Sequence, residues 1–251
     1  DVERSRGLGD VYKRQIYDLV DDHYVIYSQM TEEGQFRIRL FCVDPSVNLQ
    51  KCIDKSNSTI FFSATLLPIG YYKRLLSTDE DNYAIYAQST FAQTQRLLAF
   101  GRDVSTKYTR RNRKEYEKIA DYIGAVTEAQ QGNYMVFFPS YRLMQDVYEV
   151  FAGKAADSCE ILMQHSNMKE HEREAFLEEF EKERQGTLVA FCVMGGIFGE
   201  GIDLKNDRLI GAIIVGTGLP QVSDEREILK NYYDERGLSG FDYAFRYPGM
   251  N

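Results

Sequence analysis

This sequence predicts an α/β fold, three layers deep, built around a mainly parallel sheet. Two observations lead there. Short β-type apolar runs alternate along the chain with segments of helical periodicity. The later runs, at 134–138, 188–193 and 210–215, are apolar almost throughout, as strands covered on both faces must be. A hydrophobic content of 43% is enough to fill such a core.

Residues 36–43 read as a strand. Asp44 and Pro45 then cap and open a helix through about residue 55, with proline where its missing N–H costs nothing. Residues 59–64 read as an apolar strand, 67–76 as a short helix and 77–82 as a polar break. Residues 83–88 and 96–100 read as short strands. Helix 114–129 puts Tyr116, Ile119, Ala120, Ile123 and Val126 on one face. Strand 134–138 ends at Pro139 and Ser140, and helix 142–151 turns Leu143, Val147, Val150 and Phe151 inward. A strand at 160–164 precedes a charged helix, 169–184, that buries Phe176, Leu177 and Phe180. Strands 188–193 and 210–215 and a helix at 223–236 complete the pattern. Residues 6–15 resemble translated adaptor sequence, so 1–15 are set aside as foreign and disordered. The break at 77–82 divides the rest into 16–76, the end of one domain, and 77–251, a second.

The net charge of −8 excludes a uniformly basic coat for nucleic acid, so any such contact must come from a local patch. One candidate exists: Arg102, Lys107, Arg110, Arg111, Arg113 and Lys114. The alternative for that stretch is a solvated loop and helix start. No apolar run approaches the roughly 18 residues of a membrane span, and no secretory signal is visible. Cys42, Cys52, Cys159 and Cys192 form no C-x-x-C pair and read as buried free thiols in a reducing, cytoplasmic compartment. His165 and His171 lack a third ligand in view, so no metal site is assigned.

The most informative stretch is 187–203, where an apolar strand feeds a glycine-rich loop ending in Asp203. Loops at the carboxyl ends of buried strands are where α/β proteins place ligand sites. Glycine lets backbone approach a ligand closely, and an aspartate can hold a sugar hydroxyl or a metal-bound water. A dinucleotide fingerprint does not fit. The glycines run Gly196, Gly199, Gly201 rather than G-x-G-x-x-G, and no helix fits between Asp203 and the apolar run at Leu209. A tight structural loop is the plain alternative.

Two further segments sit at strand ends: "FFSATLLP", residues 61–68, and "MVFFPSY", residues 135–141. With "GGIFGEGIDL" at 195–204 and the run "GTGLP", "EREILKNYYDER", "FDYAFRYPGMN" that follows, they resemble, in order and spacing, the motifs of the DinG/XPD-like iron–sulfur DNA helicases of superfamily two. The match is to motifs III, IV and V and the approach to motif VI, over about residues 24–251.

The resemblance implies a RecA-like (P-loop NTPase-type) second motor domain, incomplete at its C-terminus, in an ATP-dependent helicase that moves along single-stranded DNA from 5′ to 3′. It implies that Gly199, Gly201 and Asp203 face nucleotide across a cleft, with Asp203 accepting from the ribose. Ser63 and Thr65 would couple that cleft to the strand-binding groove. Ser140 and Tyr141, with Arg110, Arg111 and Arg113, would contact DNA. For Ser63 and Thr65 the plain alternative is strand-end capping, and for Ser140 an N-cap serine. The sequence has no G-x-x-x-x-G-K-[ST] phosphate loop and no DEAH-type acid pair. ATP and Mg2+ would therefore be held mostly by the first motor domain of the same parent chain, where the family also keeps its iron–sulfur cysteines. No catalytic residue and no metal ligand is assigned within these residues, and the chain alone is expected to lack ATPase activity. The competing readings are a non-catalytic interaction module that kept the fold, and a nucleotide-sugar or dinucleotide enzyme using the 195–203 loop.

Overall fold

The computed structural model describes residues 17–31, 34–155 and 159–250; the adaptor-like stretch lies outside them. The chain forms two compact units, one of residues up to 89 together with 219–251, the other of residues 90–218. The C-terminal segment thus packs with the N-terminal part of the chain, a spatial division distinct from a break at 77–82.

The 90–218 unit holds the parallel sheet. Strands β3 (Asn133–Phe138), β4 (Cys159–Met163), β5 (Thr187–Val193) and β6 (Gly211–Ile214) lie in the order β4-β5-β3-β6, all parallel. Every residue of β5 is buried, because it has a strand on each edge and a layer on each face. Its alternate residues serve different layers. Val189, Phe191 and Val193 join Val136 and Phe138 against α3 (Arg113–Ala129) and α4 (Tyr141–Ala152), through Ile119, Ile123, Leu143, Val147 and Phe151. Leu188, Ala190 and Cys192 join Met135 on the other face, against Phe176 and Phe180 of α5 (Glu170–Glu178) and the turn after it, and against Phe198. Each fully buried side chain of this size contributes about 1.5–3 kcal/mol, so the two layers hold the sheet from both sides.

The helices begin where the sequence provides caps. Asn112 Oδ1 accepts from Glu115 N at 3.2 Å, and Ser140 Oγ accepts from Leu143 N at 3.3 Å. The inward faces match the expected spacing, with Met144 added to the buried set and Val126 left half-exposed. The charged helix is shorter than its pattern suggests. It stops at Glu178, and a 3-10 turn, Glu179–Glu181, carries Phe180 into the core.

The other unit contains an antiparallel hairpin, β1 (Tyr24–Met30) with β2 (Phe36–Cys42), and helices α1 (Ser46–Ile53), α2 (Ile69–Leu76) and α6 (Asp224–Glu235). Its core is built on tyrosine: Tyr232, Tyr233 and Tyr243 with Val43, joined by Tyr71. The Tyr233 and Tyr243 rings stack at 3.9 Å, and Tyr233 donates to Val43 O at 3.3 Å. Burial pushes the Tyr232 phenol up to about 12.

Three expected strands are corrected here. Residues 59–64, 83–88 and 96–100 join no strand ladder among the described residues, and Ile60 is 83% and Phe62 89% exposed. An apolar run becomes a strand only when neighbours satisfy its backbone groups, and neither sheet includes these segments. The hairpin strand β1 was not expected; its partner β2 was.

Candidate functional site

In a parallel sheet all carboxyl ends lie on one edge, and here that edge gathers most of the residues singled out by sequence. Ser140 and Tyr141 follow β3. The glycine loop follows β5, with its first amide, Met194 N, donating to Phe138 O at the end of β3 (2.8 Å). Gly216 follows β6, and a Cβ there would sit 2.7 Å from Thr106 Oγ1. That contact brings the start of the basic stretch to the same edge, because 105–113 leads directly into α3.

The glycine loop is held from inside. Gly196 N donates to Val193 O at 3.0 Å and Gly199 N to Gly196 O at 2.9 Å, which closes two tight turns. Phe198 is 1% exposed and stacks on Phe176 at 4.3 Å. Gly201 has φ +70°, a left-handed conformation that a side chain would strain, and Arg173 Nη2 donates to its carbonyl at 3.4 Å. Ile202 and Leu204 pack on the same core cluster as Phe198. Between them Asp203 points outward, its side chain 77% exposed, with Lys205 Nζ at 3.3 Å. An exposed pair of this kind contributes little and opens at small cost, so the carboxylate is free to accept from a ligand hydroxyl. Sequence reading of Gly199, Gly201 and Asp203 as one loop is matched by position. Their conformational reasons differ: Gly199 closes a turn, Gly201 reverses the chain.

Ser140 serves as the N-cap of α4, the plain reading, while remaining on the edge. Tyr141 is partly exposed and its hydroxyl accepts from Gln164 Nε2 at 2.9 Å. Gln164 itself is 2% exposed, and its Oε1 accepts from Val193 N at 2.9 Å. Sequence reasoning passed over Gln164 as the end of a strand; a polar residue closing an apolar run was the available signal. Arg173 and Phe198 were missed as well, because their partners are distant in sequence.

The basic stretch is ordered by local acids. Arg113 Nε pairs with Glu117 at 3.1 Å, Arg110 Nη2 lies 3.9 Å from Glu115, and Arg111 donates from Nε to Thr106 O at 3.3 Å while its guanidinium sits over the Tyr108 ring. Glu115 accepts from Ser105 N at 2.8 Å, and that bond, with Lys118 and Arg110 nearby, holds its carboxyl below the usual range. Arg113 keeps 84% of its side chain exposed, so the stretch still presents positive charge to solvent. Arg142, in the first turn of α4, adds to it: Arg111 and Arg142 both act electrostatically on the Tyr116 phenol, whose pKa is raised chiefly by burial and by Asp146.

Ser63 and Thr65 belong to the other unit. Their hydroxyls lie 3.3 Å apart, and Ser63 Oγ accepts from Thr65 N at 3.2 Å. That is a local turn on an exposed segment rather than a strand-end cap.

The 90–218 unit thus brings a glycine loop, a capped helix start and a basic stretch to one sheet edge, the edge at which α/β proteins place their ligand sites. Residues 123–251 match the model of the helicase C-terminal domain, and the chain belongs to that family. Similar proteins include the ATP-dependent DNA helicase CHL1 of Candida albicans, 22% identical over 81% of this chain and 26% of that protein. A probable ATP-dependent helicase of Methanocaldococcus jannaschii is 25% identical over 95% of this chain and 37% of that protein. Among solved structures, an XPD helicase superposes with a TM-score of 0.58 at 19% identity, covering 94% of this chain and 41% of the other. That likeness shows the RecA-like α/β fold. The chain spans from about a quarter to just over a third of the length of these relatives.

Proposed function

We propose that this chain is part of an ATP-dependent DNA helicase, in which it supplies one wall of a nucleotide cleft and part of a single-strand track. In that parent, residues 16–76 close the first motor domain and 77–251 form the second. The observation that carries the proposal is the shared sheet edge, with Asp203 exposed at the end of a loop that its own core anchors rigidly. Gly199 and Gly201 shape the wall, and Asp203 accepts from the ribose. Ser140, Tyr141, Arg110, Arg111 and Arg113 hold the strand, and Ser63 and Thr65 link strand to cleft. The bound ATP–Mg2+ supplies the phosphoryl chemistry, with its phosphate cradle in the first motor domain. An iron–sulfur cluster, where the parent has one, lies outside these residues. The cysteines are free, as expected, but only Cys192 is buried and Cys52 lies exposed on its helix; free thiols fit a reducing, cytoplasmic setting, and no helix among the described residues is long and apolar enough to cross a membrane.

The test uses the parent reading frame. Single-strand-stimulated ATPase should be present, and Asp203→Ala should reduce it at least tenfold without moving the melting temperature, since that side chain is exposed. ATPase unaffected by Asp203→Ala would remove the loop from the cleft. The present chain alone should hydrolyse no ATP.

A further inference from the structure

We propose that Gln164 is a positioning residue that orients the Tyr141 hydroxyl as a hydrogen-bond donor toward a phosphate of bound strand, and that locks this orientation to the glycine loop. The inference rests on the strand-binding role proposed for Tyr141 and deepens it.

The direction of the bond follows from donors and acceptors alone. Val193 N–H is a buried backbone donor and needs an acceptor; the Gln164 side chain provides one, Oε1 at 2.9 Å. With the amide oxygen committed there, the amide nitrogen must face Tyr141, and it does, at 2.9 Å. An NH2 group only donates, so the tyrosine oxygen accepts from it. The phenol proton must then point away from Gln164. A phenol held this way offers its proton to an anionic oxygen, which makes it a phosphate donor rather than a group that can turn either way.

The same side chain meets the loop. A Cβ on Gly196 would lie 2.9 Å from Gln164 Nε2, so only glycine leaves room for the amide. Gln164 N also donates to Phe191 O at 2.8 Å, which fixes the backbone from which the side chain projects. One buried amide therefore ties together the ends of β3, β4 and β5, and the bond to Val193 holds its Nε2 facing Tyr141.

Gln164→Glu is the discriminating substitution, because it keeps the shape and the bond to Val193. When ionised, the carboxylate only accepts, so Tyr141 must turn its proton inward and lose its phosphate contact. When protonated, the carboxyl donates as the amide did, and the phosphate contact returns. The probe is a fluorescein-labelled single-stranded deoxythymidine oligonucleotide, its binding to the chain followed by anisotropy at low salt between pH 5 and pH 9. Tyr141→Phe should weaken binding about tenfold at every pH. Gln164→Glu should bind nearly as the unaltered chain at low pH and fall by about the same factor at high pH. The double variant should be no weaker than Tyr141→Phe alone at any pH. That last comparison separates reversed hydrogen bonding from simple repulsion, since repulsion between carboxylate and phosphate would persist without the hydroxyl. A Gln164→Glu loss that persists in the Tyr141→Phe background, or none at all, would overturn the inference and leave strand binding standing. Failure of the unaltered chain to bind the oligonucleotide would overturn the strand-binding reading and this role with it.

Discussion

Phe198 should be the residue on which the glycine loop depends, and its removal has a calculable cost. The ring is 1% exposed, stacks on Phe176 at 4.3 Å and lies in the core cluster with Cys192 and Ala190 of β5. Truncating a buried phenylalanine to alanine costs about 3–5 kcal/mol, from lost transfer energy and the void left behind. The lower end, about 3 kcal/mol, applies to Phe198→Ala, because loop backbone closes over a void more readily than a helix or strand does. At a urea slope of about 2 kcal/mol/M the midpoint should fall by about 1.5 M. The chain has no tryptophan, so the transition is best followed by far-UV circular dichroism, with hydrogen exchange of peptides from 90–218 reporting that unit alone. Ile197→Ala is the control. It alters the neighbouring position, where the residue is 39% exposed, and should cost under about 1 kcal/mol. Equal midpoint shifts for the two substitutions, or a Phe198→Ala shift below about 0.3 M, would refute an inward anchor for the loop.

Three further outcomes follow from the same packing. Glu115 is ionised in the fold below its ordinary value of 4.5, so its contribution is complete above that pH and disappears as pH falls through the lower folded value. Glu115→Gln should therefore destabilise the chain at pH 7 and flatten the acid side of its stability profile, as read by urea melts from pH 7 to pH 3. Cys192 is buried and its thiol is pushed up to about 12, whereas Cys52 is exposed; mass spectrometry after maleimide treatment at pH 8 should find Cys52 labelled and Cys192 labelled only on unfolding. At Gly211 a Cβ would lie 2.7 Å from the Tyr134 ring, so Gly211→Ala should cost about 1–3 kcal/mol by overpacking, measured as a loss of thermal stability.

The 90–218 unit was largely legible from sequence, and the reason is local. Strands such as β5, apolar at six successive positions from Leu188 to Val193, carry their burial on both faces in their own composition. Helices α3 and α4 carry theirs in spacing, and Asn112 and Ser140 mark where each begins. The same logic failed for 59–64, where apolar composition was equally plain but no neighbouring strand takes up its backbone. It missed β1 because the hairpin is solvated on much of both faces, so Tyr24–Met30 mixes polar and apolar residues without a clean period. Gln164 escaped because its meaning is tertiary. Its partners, Tyr141 and Val193, lie 23 and 29 residues away, and nothing in the local pattern points to either.

The loop at 194–203 shows why motif spacing alone under-reads such a site. The sequence presents its glycines as one feature, open to a ligand. In the fold, Gly196 makes room for a protein side chain and Gly195 and Gly201 turn the chain with positive φ, so part of the glycine content serves the protein's own interior. Under the proposed function, what is left for a ligand is narrower and better defined: the outward carboxylate of Asp203, flanked by Ile202 and Leu204 that hold the backbone to the core. A carboxylate on a rigidly anchored loop does not have to be ordered when ligand arrives, so less binding energy is lost to ordering it. The same economy holds at Tyr141, whose hydroxyl is already committed by Gln164 before any strand is present. Both groups project from the carboxyl edge of one sheet, and Gln164 joins the loop of one to the hydroxyl of the other. Under the proposed function, that buried amide is the direct hydrogen-bonded link between the strand that feeds the loop and the Tyr141 hydroxyl.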